Sequence, residues 1–183
     1  MLNWSDRGHV LATCDERVVY CRVVGIGNMN NCAPFQSFSE RMQAQGYREY
    51  VLDFSHCEGL DSTFLGILLG MALNDDEERS HVVVVNATDG VSRVLAEVGI
   101  DRLVEVLPEA MTLPDVPMRR LEGVEAHGVD PMGMILKAHE NLCRVGPSNQ
   151  ERFGGFLRLL RKELKARRRE REAARERPTA GGT

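Results

Sequence analysis

The chain is built around one stretch, residues 50–75, which reads YVLDFSHCEGLDSTFLGILLGMALND. Residues 50–54 have the apolar and aromatic character of a strand. Residues 56–60 are smaller and more polar, which predicts a loop. Residues 62–73 are almost wholly apolar and predict a buried helix. Asp61 precedes this helix, and aspartate is a preferred N-cap because its carboxylate accepts backbone N–H groups of the first turn.

Two hydroxyl residues, Ser62 and Thr63, then stand at the positive end of the helix dipole. Backbone donors at such a position favour an anion, so a phosphate on Ser62 would enter a prepared environment. The sequence therefore supports the hypothesis that the Ser62 hydroxyl is a switch. The alternative is that Ser62 and Thr63 are merely first-turn residues of a capped helix.

The formal net charge of −4 conceals an asymmetry along the 183 residues. Residues 151–177 contain 11 Lys and Arg against 5 Asp and Glu, so the body is acidic and the C-terminal segment is basic. The acidic body argues against nucleic-acid binding by the whole chain. Two hypotheses stay open for the basic tail: a solvated helix with pairs such as Glu163–Arg167, or an electrostatic contact with RNA, the ribosome or an acidic partner surface.

The five cysteines are an odd number, and no two of them form a C-x-x-C pair. This pattern predicts reduced, buried thiols rather than a disulfide framework or a zinc site, and nothing in the sequence indicates a cofactor. The N-terminus lacks the pattern of a secretory signal. The longest apolar run is well short of the roughly 20 residues that span a bilayer. We therefore expect a cytoplasmic protein without a membrane span.

The other segments predict a mixed, largely parallel sheet. The first two strands are expected to form a hairpin, and the later ones alternate with helices, as in an α/β fold. We predict an α/β domain with a four- to five-stranded mixed sheet. Right-handed crossovers would bring two loops, residues 25–31 and 55–61, beside Ser62. Strands are expected at residues 9–13, 17–24, 50–54, 81–86 and 103–107, and helices at 31–45, 62–73 and 90–98.

Composition also predicts how the chain is divided. The α/β domain occupies residues 1–108, and residues 109–129, with two prolines and two glycines, form a linker. Residues 130–177 form a helical hairpin with the basic tail, and residues 178–183 a disordered end. The hairpin is expected to pack on the sheet or to associate with a second copy.

Gly66 and Gly70 lie four residues apart in the central apolar helix. A membrane dimer motif is implausible in so short an apolar run. Close packing of this helix on the sheet is the expected reason for both glycines.

Two enzymatic or nucleotide-binding interpretations have weaker support. Residues 25–28, Gly-Ile-Gly-Asn, superficially suggest a phosphate loop but lack a third glycine and a Gly-Lys-Ser/Thr sequence, so a turn with positive φ is favoured. A hydrolase could use Ser62 or Cys57 with His56 and Asp61. However, no Gly-x-Ser-x-Gly elbow is present, and adjacent side chains of an extended segment point apart. No catalytic residue and no metal ligand is therefore assigned.

Three segments together resemble the STAS family, the domain shared by sulphate transporters and anti-sigma factor antagonists. The resemblance covers residues 10–107 and includes the last βαβ unit, with its Val98-Gly99-Ile100-Asp101 sequence. The other two matching segments are Val51-Leu52-Asp53-Phe54-Ser55 and Leu60-Asp61-Ser62-Thr63-Phe64-Leu65-Gly66.

The resemblance implies a non-catalytic regulator of transcription, an anti-sigma factor antagonist-like partner switch controlled by serine phosphorylation. Ser62 would be the phosphoacceptor, Asp61 its supporting acid, and Thr63 part of the partner-binding edge. The partner would be an anti-sigma factor that is itself the serine kinase and binds the unphosphorylated protein. The alternative is a STAS scaffold subunit of a signalling or lipid-transport complex, which uses the same face without phosphorylation.

Overall fold

A six-stranded mixed sheet lies at the centre of the protein. The structure, a computed structural model, describes residues 8–73, 80–122 and 130–175. The predicted disordered end, residues 178–183, and residues 123–129 of the predicted linker lie outside this range. The strands are β1 (Gly8–Cys14), β2 (Val18–Gly27), β3 (Glu49–Leu60), β4 (His81–Val85), β5 (Glu105–Val106) and β6 (Arg119–Arg120).

The strands lie in the order β5-β4-β3-β2-β1-β6. β1 pairs antiparallel with β2 and with β6, while β2, β3, β4 and β5 are parallel. The helices of the described residues are α1 (Met29–Ala44), α2 (Ser62–Ala72), α3 (Asp89–Glu97), α4 (Pro131–Arg144) and α5 (Pro147–Arg175). Each β-α-β connection moves one strand further in the same direction, so right-handed crossovers place α1, α2 and α3 on one face of the sheet.

The hydrophobic core lies between that face and the helices. Because side chains alternate along a strand, Cys21 of β2 and Phe54 of β3 point toward the helices and are fully buried. α2 is apolar on nearly all sides, as expected of a helix that is covered all round. Its Phe64 stacks on Phe35 of α1, with ring centroids 5.1 Å apart and parallel planes.

The predicted fold class is confirmed, and β2 and β3 run further than the sequence suggests. β3 continues through residues 56–60, where a loop was expected, and β2 continues to Gly27. The β2–β3 ladder continues through two register shifts and ends at the pair Gly27 and Leu60. Such irregularities let a ladder pass through residues of low strand propensity. A sixth strand arises because two residues of the predicted linker pair with β1.

The segment between β5 and β6 lies against the sheet on the face opposite the helices. Asn86, just after β4, forms two hydrogen bonds of 2.8 Å with the backbone of Met111. Leu113 is buried, beside Leu11 and Arg22 on the sheet face opposite the helices. We call residues 107–118 the strap, because they connect the two opposite edges of the sheet.

The C-terminal hairpin packs on α2 rather than directly on the sheet, with α4 along α2 and α5 along α4. The prediction that Gly66 and Gly70 face the sheet is wrong, since both face α4. A Cβ at Gly66 would overlap the carbonyl oxygen of Ala138, and one at Gly70 would lie 2.5 Å from Nδ2 of Asn141. The glycines are required because the two helices approach closely here.

Candidate functional site

Ser62 is the first residue of α2, as the sequence predicts. Asp61 has the extended backbone of an N-cap, and its Oδ1 accepts a hydrogen bond of 2.8 Å from the N–H of Phe64. This bond satisfies one of the backbone donors that a first helical turn leaves without an intrahelical partner. The first turn of α2 contains no acidic residue, so Asp61 is the carboxylate nearest along the chain to the positive end of the helix dipole.

Asp61 also connects α2 to the neighbouring elements. Its Oδ2 accepts a hydrogen bond of 2.9 Å from the N–H of Met29, the first residue of α1. Its own N–H donates to the carbonyl oxygen of Gly27 at the end of β2, over 2.9 Å. The expectation that residues 25–31 flank Ser62 is therefore confirmed, although residues 25–27 belong to a strand.

The Ser62 hydroxyl has a partner in the C-terminal extension. Its Oγ lies 3.0 Å from Nε2 of His139 on α4. The other ring nitrogen, Nδ1, lies 2.8 Å from the carbonyl oxygen of Ile135. A carbonyl oxygen only accepts, so in the neutral form of the imidazole Nδ1 carries the proton and Nε2 accepts the hydrogen bond from Ser62.

Aromatic rings of α5 surround this histidine. Phe153 meets the His139 ring edge-on at 5.7 Å between centroids, and Phe156 lies at 4.6 Å. His139 is buried, whereas Ser62 is half-buried and Phe156 is 45% exposed. Thr63 is buried at 6% exposure, so Ser62 is the hydroxyl of this pair that an enzyme could reach. The hydroxyl therefore lies at the surface where α2 begins, beside Asp61. We call this surface the rim, and α4 covers it in part.

The residues of the hydrolase alternative are arranged differently. His56 is exposed, and its Nδ1 lies 2.8 Å from the Ser55 hydroxyl. Burial raises the pKa of the Cys57 thiol, which disfavours a reactive thiolate. The histidine that contacts Ser62 is His139, and the carboxylate of Asp61 is used by two backbone N–H groups.

The glycine segment before α1 does not present free donors to a phosphate. Gly25 has a positive φ of 71°, as predicted, but the predicted turn is wrong, since Gly25 lies within β2 at a register shift. Asn28 and Asn31 form a capping box, in which each side chain accepts a backbone hydrogen bond of the same turn. Since Met29 donates to Asp61, the first N–H groups of α1 are already paired.

Within residues 8–73, 80–122 and 130–175, no group of three or more His, Cys, Asp or Glu is placed to hold a metal ion. None of the helices in those ranges is both long and apolar enough to cross a bilayer. On α5 the predicted pair of Glu163 and Arg167 is present at 3.0 Å, and Arg168 pairs with Glu172 at 2.9 Å.

The sequence places His139 in the apolar stripe of α4, but it does not connect this residue with Ser62. The two are 77 positions apart, and no local periodicity relates residues at that separation. A polar residue within an apolar stripe is the only signal, and it equally describes a core histidine with a local hydrogen bond.

The comparison with protein families agrees with this fold. The family model described as "Mlab, STAS domain" matches residues 15–106, half of the chain. The protein therefore belongs to the STAS domain family, as the resemblance of its Asp61-Ser62-Thr63 segment suggests. A search of curated proteins finds no match.

Solved structures of similar fold include two anti-sigma factor antagonists. One, from Mycobacterium paratuberculosis, is 20% identical over 60% of this chain and 92% of that chain, with a TM-score of 0.49. The other is SpoIIAA in its unphosphorylated form, 16% identical over 54% of this chain and 87% of that chain, with a TM-score of 0.47.

Proposed function

We propose that the protein is a non-catalytic, cytoplasmic partner switch of the anti-sigma factor antagonist kind, controlled by phosphorylation of Ser62. The observation that carries the proposal is the half-exposed Ser62 hydroxyl at the capped start of α2. Asp61 supports the site by fixing the starts of α1 and α2 together. The partner is an anti-sigma factor that is also the serine kinase, and no cofactor or metal is required.

Phosphorylation would act through charge at this rim. A phosphoserine adds about −1.5 to −2 charges and three acceptor oxygens. The dipole of α2 favours an anion at its first residue, so the domain tolerates the change. A partner surface that docks on a neutral hydroxyl does not, and a loss of about 3 kcal/mol would weaken its binding roughly 100-fold.

The test begins with two proteins, wild type and Ser62→Ala, each purified from the organism that encodes the protein. Intact mass and peptide fragmentation should show one phosphoryl group at Ser62 in the unchanged protein and none in the variant. Ser62→Ala and Ser62→Asp proteins are then used as bait. The first should retain a kinase-type partner that the second has lost. No phosphate at Ser62 in any growth phase, together with equal partner retention by both variants, would refute the switch.

A second candidate is favoured by one observation, the hydrogen bond between Ser62 and His139. A hydroxyl that is already bonded inside the chain is suited to a STAS scaffold subunit of a signalling or lipid-transport complex, which uses the face without phosphorylation. Retention of transporter subunits by both baits, with no phosphate on Ser62, would support this alternative over the switch.

A further inference from the structure

The surface of α2 that receives α4 is shaped for a helix. We call it the seat, and it consists of Ser62, Gly66, Ile67, Gly70 and Met71. The two glycines leave space for the α4 backbone, while Ile67 and Met71 are buried at 6% and 4% exposure. An apolar surface with glycines four residues apart allows closer helix contact than larger side chains would permit.

Two polar contacts fix α4 in this seat. Nδ2 of Asn141 donates a hydrogen bond of 3.0 Å to the carbonyl oxygen of Gly66, and both groups are buried. At the rim, Nε2 of His139 accepts from the Ser62 hydroxyl over 3.0 Å. The second contact uses the hydroxyl that the proposed function assigns to the partner. α4 and a partner that reads Ser62 therefore need the same surface.

α2 does not depend on α4 for its own start or orientation. Its N-cap is Asp61, and Phe64 packs against Phe35 of α1 on the side of the sheet. The departure of α4 would therefore leave α2 in place with an open apolar groove. A helix that replaced α4 would need a small residue opposite Gly66, where Ala138 now lies, and a polar side chain that reaches Ser62.

We propose that α4 is an intramolecular competitor for the partner-binding surface at Ser62. The partner supplies an amphipathic helix that replaces α4 on the seat, and it gains access when the α4–α5 hairpin leaves. This inference rests on the proposed function, which it extends by naming the surface and the kind of segment that fits it. A charge at Ser62 also weakens the seating of α4, because an ionised oxygen cannot donate the hydrogen bond that Nε2 of His139 now accepts.

The first test measures access to residue 62 in the full chain. Cys14→Ser and Cys143→Ser remove the exposed and the half-buried thiol, and Ser62→Cys introduces one at the rim. The new thiol should react slowly with a maleimide. Adding Gly66→Ala, which forces α4 away, should raise its rate at least about tenfold.

The matched control is Gly155→Ala on α5, where a Cβ meets only the Arg158 side chain at 3.9 Å. It should leave the labelling rate unchanged. Asn141→Ala is a second opening variant, which removes the bond to Gly66 without adding an atom to α2, and it should raise the rate in the same direction. Equal rates in all of these proteins, or a parent thiol that reacts as fast as in the unfolded chain, would overturn the proposal.

The second test measures amide hydrogen exchange in Ser62→Asp and in the uncharged Ser62→Asn. Exchange in α4 should be faster in the Asp variant than in the Asn variant, while α2 stays protected. Equal exchange, or slower exchange because a carboxylate is held by His139, would refute the competition. Neither measurement uses a kinase or a partner, so failure of this inference is distinguishable from absence of phosphorylation at Ser62.

Discussion

Oδ2 of Asp61 accepts a hydrogen bond of 2.9 Å from the backbone N–H of Met29, so one carboxylate joins the first turns of α1 and α2. Its other oxygen caps α2 through Phe64. Bonds from N–H donors to a charged oxygen are stronger than neutral ones. Asp61 therefore stabilises the position of two helices at the rim that carries Ser62.

The first prediction concerns the two backbone hydrogen bonds that the Asp61 carboxylate accepts. Asp61→Ala should lower the free energy of unfolding by about 2 kcal/mol, because both backbone donors lose their acceptor. Asp61→Asn keeps one acceptor oxygen and turns an NH₂ group toward the second donor, so a loss of about 1 kcal/mol is expected. Urea denaturation followed by circular dichroism measures both values.

The control for Asp61 is Asp130→Ala. Asp130 caps α4 by accepting a single exposed hydrogen bond of 3.2 Å from the N–H of Met132. Its removal should cost less than about 1 kcal/mol. A loss in Asp61→Ala no greater than that in Asp130→Ala would show that the link to Met29 has no energetic role.

The second prediction concerns Asn86, which has a positive φ of 56° and attaches the strap to β4. Its amide donates to Asp53 over 3.0 Å and forms both bonds to Met111. Asn86→Ala loses these bonds and keeps a Cβ in the left-handed region without the polar side chain that makes asparagine tolerant of it, so we expect the free energy of unfolding to fall by about 3 kcal/mol. Asn86→Gly loses the same bonds without that backbone strain and should be about 1 kcal/mol more stable than Asn86→Ala.

Thermal or urea unfolding of the two Asn86 variants separates backbone strain from hydrogen bonding. Faster amide exchange near Met111 in both variants would show that the strap is released. Variants of equal stability would mean that the positive φ contributes nothing, and an unchanged strap would mean that Asn86 does not hold it.

The third prediction concerns pH. Burial by itself would raise the pKa of Asp53, but hydrogen bonds from Asn86, the N–H of Ser55 and Arg22 outweigh it and hold the pKa below its ordinary value of 3.8. Ionised Asp53 therefore stabilises the fold above the unfolded pKa, and this stabilisation is lost as pH falls through the folded pKa. The stability advantage of the unchanged protein over Asp53→Asn should be largest near neutral pH, about 2 kcal/mol.

Urea midpoints of the two proteins from neutral pH into the acid range measure that advantage, which should shrink below about pH 4. Arg22→Met removes only one of these contacts, the 2.6 Å pair with Asp53, and should reduce the acid dependence of stability by less than Asp53→Asn does. A stability difference between wild type and Asp53→Asn that stays constant down to acid pH would contradict a lowered pKa of Asp53 in the folded protein.

The fourth prediction concerns His81, which lies between Glu49 and Glu105 on neighbouring parallel strands, at 2.8 and 3.1 Å. The hydrogen bond with Glu49 raises the pKa of His81 above 6.5; partial burial opposes this, and Glu105 adds to it. The charged imidazole therefore stabilises the sheet below pH 6.5, and that stabilisation is lost as pH rises through the folded pKa. All three side chains are half-exposed, so the charged imidazole is expected to add only about 0.5 kcal/mol to the free energy of unfolding.

The comparison of wild type with His81→Gln at acidic and alkaline pH checks the sign. Wild type should be the more stable protein near pH 6 and should lose this advantage by about pH 8, with a smaller effect in about 1 M salt. An advantage that grows as pH rises would show that His81 is not stabilised in its charged form.

Local patterns in the sequence predicted most of the elements. The cap at Asp61, the apolar helix after it and the β-branched strand before Asn86 each depend on residues within a few positions of one another. The lengths of β2 and β3 could not be predicted in this way. The pairing of residues 25–27 with residues 57–60 depends on the neighbouring strand rather than on strand propensity.

The sequence by itself determined the capped start of α2, the order of strands and helices from β1 to β5, and the presence of Ser62 at a helix N-terminus. Only the tertiary structure decided that Gly66 and Gly70 face α4, that the strap crosses the sheet, and that His139 meets Ser62. The physical reason is distance along the chain. Caps and periodicity act within a few turns, whereas the contact across 77 residues is set by how complete elements pack together.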